Sequence, residues 1–106
     1  MSRASRDKGL RGEREVAGIF AGAGWTMRGL EGSGDWLAMS GRARSSIGPG
    51  VLHVEVKRQE TLRVKEWLRQ AQDEAPSGVP PLLVFRQSRS FWIAALPLTD
   101  LLGLIG

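Results

Sequence analysis

Apolar and polar residues alternate along Val51–Gln59, VLHVEVKRQ, where Leu52, Val54 and Val56 interleave with His53, Glu55 and Lys57. A period of two is the pattern of a half-buried strand, and the β-branched valines suit a pleated surface. The three polar residues then point the same way, about 6–7 Å apart. The plain expectation is a sheet with one wet face, where Glu55 and Lys57 neutralise each other. Elsewhere the period is 3.6. From Lys8 to Ala23, Val16, Ile19, Phe20 and Ala23 recur at helical spacing, with Asp7 as a candidate N-cap and Gly24 as the stop. From Thr61 to Ala75, residues Val64, Trp67, Leu68, Ala71 and Ala75 form one stripe and Pro76 follows. Trp25–Arg28 and DWLAMS read as short strands around the turn-forming GLEGSGD, PLLVFRQ and FWIAALP as a hairpin joined by SRS, and LTDLLGLIG as a short helix capped by Thr99. The order is helix, two or three strands, helix, two strands, helix: an α/β sandwich with a central mixed sheet. Residues 1–106 read as a single domain whose first seven residues are basic and loose.

Composition narrows the chemistry. A chain of 106 residues suits one modest core. With no cysteine there is no disulfide framework and no thiolate metal site, and one histidine cannot build a three-imidazole zinc site. A metal would be held mainly by oxygen, which favours magnesium, manganese or calcium. No apolar run approaches the roughly 20 residues that cross a bilayer, and the basic N-terminus lacks the apolar centre of a signal peptide. A cytoplasmic location is expected. The net charge is +4, and the 15 Lys and Arg residues, most of them Arg, are spread along the chain. The guanidinium fork suits phosphate, which makes nucleic acid a natural partner.

Three acidic positions carry the candidate chemistry. Glu13 lies in line with Val16, Ala17 and Phe20 on the first helix, where a carboxylate either reaches water or needs a partner; Glu15, nearer the polar side, has less to explain. Asp35 follows GSG, whose glycines permit a close backbone approach. Glu55 precedes Lys57 by two on one strand face. Two carboxylates and a main-chain carbonyl such as that of Val56 could hold a magnesium ion with waters, with Lys57 to orient an attacking water or offset developing charge. His53 shares the face of Glu55: a proton shuttle on one reading, an ordinary hydrogen-bonded histidine on the other. Trp36, Trp67 and Trp92 read as core, and Trp25 as packing or facing a partner.

A helix glutamate, then Asp, then Glu-X-Lys in a basic chain without cysteine resembles the PD-(D/E)XK nuclease superfamily, above all the small Holliday-junction resolvases of archaeal type and their phage relatives. The matching segments are KGLRGE (Lys8–Glu13), RGLEGSGD (Arg28–Asp35) and VEVK (Val54–Lys57), and the resemblance covers about residues 6–75. It implies a restriction-endonuclease-like αβββαβ core and Mg2+- or Mn2+-dependent hydrolysis of DNA that usually leaves a 5′ phosphate. It also implies a homodimer that cuts two opposed strands of a four-way junction, in a bacterial or phage-infected cell. Carried over, Asp35 and Glu55 become metal ligands, Lys57 the nucleophile-orienting lysine and Glu13 the additional acid. Ser33 falls near the scissile phosphate and Arg28 on DNA. Arg6, Lys8, Arg11, Arg14, Arg42, Arg44 and Arg58 would surround such a site and guide phosphate backbones. The chain departs from the family in having Gly34 where proline precedes the aspartate, and in the long GRARSSIGPG excursion. Either Gln70 or Gln72 could match the glutamine that related nucleases carry on the next helix. Two other readings stand beside this one: a non-catalytic DNA-binding or assembly module, and an endonuclease without junction selectivity. The apolar LPLTDLLGLIG is a candidate dimer interface.

Overall fold

The structure, a computed structural model, describes residues 3–31, 34–41 and 50–105, with side chains from residue 9 onward. The elements are α1 (Arg3–Gly22), β1 (Thr26–Gly29), β2 (Trp36–Met39), β3 (Val51–Arg58), α2 (Val64–Glu74), β4 (Pro81–Arg86), β5 (Ile93–Ala95) and α3 (Leu98–Ile105). The sheet order is β1-β2-β3-β4-β5. β1, β2 and β3 form an antiparallel meander, β3 and β4 run parallel, and β5 returns antiparallel. A parallel neighbour needs a crossover, which α2 supplies.

The α1 stop follows from local chemistry. Gly24 takes φ +94, Trp25 N–H donates to the Phe20 carbonyl and Gly24 N–H to that of Ala21. This paired closure of the last turn is one that glycine permits without strain. The start differs from expectation: the helix begins at Arg3, so Asp7 lies within it and is no N-cap. α2 starts at Val64 rather than Thr61. The residues before it are drawn to the β4–β5 turn, where the Glu60 carboxylate accepts from Ser88 N–H at 2.9 Å and the Glu60 carbonyl from Gln87 Nε2 at 2.7 Å. Thr99 lies inside α3 and does not cap it. Trp92 precedes β5.

Both faces of the sheet are covered. Val16 of α1 packs on Ala38, Leu52, Val54, Leu82 and Val84. On the other face Trp67 of α2 packs on Leu83 and Phe85, while Leu37, Val51 and Val79 form a smaller cluster. Leu83 is fully enclosed, and truncating such a residue to Ala costs about 2–5 kcal/mol. The expected wet face is therefore corrected: His53 and Glu55 point together, but beneath α2, and are 2% and 3% exposed. Their alternation with valine records two different covers, one apolar and one that encloses polar groups.

Candidate active site

Asp35 stands immediately before β2. Trp36 pairs with Val54 and Leu37 with His53, so the same antiparallel register sets Asp35 across from Glu55. Cross-strand partners share a face, which puts Asp35, His53, Glu55 and Lys57 together on the α2 side. Arg28 pairs with Leu37 and shares that side from the edge strand β1. Glu13 arrives from α1 at the end of the sheet. A Cβ at Gly34 would lie 2.7 Å from Glu13 Oε1, and Gly34 takes φ +77. Glycine here meets two demands: a left-handed backbone and room for a carboxylate.

The carboxylates crowd one another. Burial raises the Glu13 carboxyl above its ordinary value, and the charge of Asp35 adds to the rise, while Arg14 and Lys57 oppose it. Burial, then Asp35, push Glu55 up to about 7 against the pull of Lys57. Lys57 Nζ stands 3.5 Å from Glu55 Oε1. The other Glu55 oxygen, Oε2, is buried without a hydrogen-bond partner.

Two residues outside the expected acidic set join it. His53 Nε2 contacts Asp35 Oδ2 at 3.0 Å, which makes His53 a buried partner of the aspartate. Glu74, at the end of α2, shares a hydrogen bond with Asp35 that raises its own pKa, burial adding less. Gln70 Nε2 donates to Glu74 Oε1 at 3.1 Å, so Gln70 is linked to the cluster through Glu74, although both Gln70 and Gln72 are exposed. Glu74 follows Trp67 by seven and Ala71 by three, and that extension of the buried stripe was the available signal.

The basic residues distribute unevenly. Arg11 and Arg14 are exposed on α1 beside Glu13, Arg28 is exposed, and Arg58 is half-buried. Arg6 and Lys8 lie in α1 with side chains outside the described set, and Ser33, Arg42 and Arg44 fall outside the described residues. Arg86, paired with Arg58 across β3 and β4, adds a cation. Its guanidinium lies 5.1 Å over the Trp92 ring and 3.5 Å from Glu15. Glu15 also accepts from Trp92 Nε1 at 2.8 Å, a partner the helical pattern did not indicate.

No protein-family model and no curated protein sequence matches the chain. Among solved structures it is similar to Hjc, a Holliday junction resolvase from the archaeal hyperthermophile Archaeoglobus fulgidus. The TM-score is 0.62 at 24% identity, over 84% of this chain and 72% of that one. The fold is Hjc-like. It contains the αβββαβ order, with β5 and α3 following.

Proposed function

We propose that the chain is a divalent-metal-dependent endonuclease that hydrolyses DNA phosphodiesters, with four-way junctions as its preferred substrate. The observation that carries this reading is the meeting of Glu13, Asp35 and Glu55, with Lys57 beside Glu55, at one end of a resolvase-like sheet. The donor set fits a hard cation: it is built of oxygen, and the buried, unpartnered Oε2 of Glu55 is an atom that a cation would satisfy. Asp35, Glu55 and the Val56 carbonyl would hold Mg2+ or Mn2+, with Glu13 as the additional acid. When bound, such an ion polarises a phosphoryl oxygen and acidifies a water. Lys57, kept in place by its pair with Glu55, orients the attacking water and offsets negative charge developing on the phosphoryl oxygens. Gly34 admits the Glu13 carboxylate to the edge of the site. Arg11, Arg14, Arg28 and Arg58 are the described cations proposed to meet phosphates, with Arg6, Lys8, Arg42, Arg44 and Ser33 assigned to DNA from the sequence.

Cleavage of two opposed strands calls for a twofold assembly. The partner proposed is a second copy, docked through the α3 stripe of Leu98, Leu101, Leu102 and Ile105, all exposed.

Incubation with Mg2+ and a synthetic four-way junction, a flap and a linear duplex tests the proposal: the junction is cut fastest. Equal cutting of all three removes the junction preference, and no cutting with either Mg2+ or Mn2+ removes the enzyme. One observation favours a second reading, a non-catalytic DNA-binding module. Asp35 already contacts His53, and Glu55 already pairs with Lys57. That reading predicts salt-sensitive DNA binding that is indifferent to metal and survives Glu55→Gln.

A further inference from the structure

We propose that Asp35, His53 and Glu74 form a cation site that takes a borderline transition ion, Co2+ or Zn2+, in preference to Mg2+. One ligand atom from each residue lies within 4.8 Å of the other two. His53 Nε2 and Asp35 Oδ2 are 3.0 Å apart, about the separation of two neighbouring ligands on one ion with bonds of about 2.1 Å. Glu74, exposed at the end of α2, closes the third side by rotating its side chain. The set differs in chemistry from the all-oxygen group proposed above: an imidazole suits zinc and its neighbours, whereas magnesium keeps to oxygen.

A further observation points to a missing cation. Glu55, two residues along β3 on the same face, is 3% exposed and leaves Oε2 buried without a hydrogen-bond partner. Among the described residues, the carboxylates of Glu13, Asp35, Glu55 and Glu74 meet there, and the opposing groups are Lys57, Arg14 near Glu13, and the imidazole. A divalent ion offsets that excess at Asp35, which the two cation positions would share. The inference concerns metal binding alone and does not depend on DNA cleavage.

The chain has one histidine, so its ring resonances report on this site without ambiguity. The metal-free full chain, lacking any histidine tag, is titrated with Co2+ and with Zn2+ in the absence of DNA, and proton NMR follows the imidazole. The proposal predicts hyperfine-shifted imidazole resonances at one equivalent of Co2+. It also predicts Zn2+ affinity at least about tenfold above that for Mg2+. His53→Leu lowers Co2+ and Zn2+ affinity by about tenfold or more and changes Mg2+ affinity little. Glu74→Gln, an exposed change that leaves the core intact, lowers Co2+ affinity several-fold and keeps the proposal testable if His53→Leu fails to fold. The inference is overturned if Co2+ leaves the imidazole resonances in place, if Zn2+ binds no tighter than Mg2+, or if Glu74→Gln leaves Co2+ affinity unchanged. Each of these marks His53–Asp35 as a structural pair only. Loss of the nuclease reading is seen separately, as absence of cleavage with His53 still ligating Co2+.

Discussion

Glu55 concentrates the tension of the site. Its carboxyl titrates near 7 when folded and at an ordinary 4.5 when free. The folded chain therefore holds this proton more tightly, and the stability it contributes is fully present below pH 4.5. It is lost as pH rises through 7. In EDTA, denaturant unfolding at pH 5 and pH 8 shows lower stability at pH 8, and Glu55→Gln removes much of that fall. The variant gains on the order of 1–3 kcal/mol at pH 8; an unchanged pH slope contradicts the account. Gly34 supplies the second test at this scale. Gly34→Ala meets the Glu13 carboxylate and a backbone angle unsuited to a side chain. It costs about 1 kcal/mol or more and displaces Glu13, so melting temperature and Mg2+-supported cleavage fall together. Glu13, Asp35, Glu55 and Lys57 were candidates from helical spacing, the GSG turn and strand alternation, and the resemblance to resolvases joined them into one set. The burial of His53 could not, because the alternation in β3 does not say what covers each face. Glu74 continued the α2 stripe, but its hydrogen bond with Asp35 is long-range and forms only when α2 packs on the sheet, so the stripe did not mark it as part of the acidic set.

At the scale of elements, α1 is held to the sheet by more than its apolar stripe. Glu15 receives the Trp92 indole and faces Arg86, while Gly12 lies close to both Trp92 and Arg58. This network ties the helix that carries Glu13 to β3, β4 and the segment before β5. Glu15→Ala removes this solvent-exposed acceptor and the charge facing Arg86 and costs about 0.5–1 kcal/mol, measured by urea denaturation; a neutral result removes the anchoring role. The strands and helices were legible because their periods differ and because Gly24 and Pro76 punctuate them. Boundaries were less so. α1 extends to Arg3, four residues before the Asp7 that the helical pattern offered as its cap. The α2 start is set by Glu60 bonding to residues more than twenty positions away, a restraint no local pattern encodes. Thr99 has a capping residue's chemistry, but α3 already begins at Leu98.

For the whole molecule, the proposed account assigns phosphate chemistry to the polar end of the sheet and assembly to the exposed apolar face of α3. Leu98 and Ile105 are 68% and 73% exposed. Leu102→Glu places a charge in the middle of that stripe, and light scattering during gel filtration should show a dimer in the parent and a monomer in the variant. A parent that stays monomeric at high micromolar concentration rules out α3 as the dimer contact. The account as a whole stands on Asp35 and its neighbours acting as one hydrolytic centre. The most direct measurement is single-turnover cleavage of a four-way junction in Mg2+ by the parent chain beside Asp35→Asn, with junction binding monitored in both. The account predicts cutting by the parent and a loss of about a hundredfold or more in the variant, with junction binding retained. Equal cleavage rates in the two proteins, or no cleavage by the parent, would contradict it.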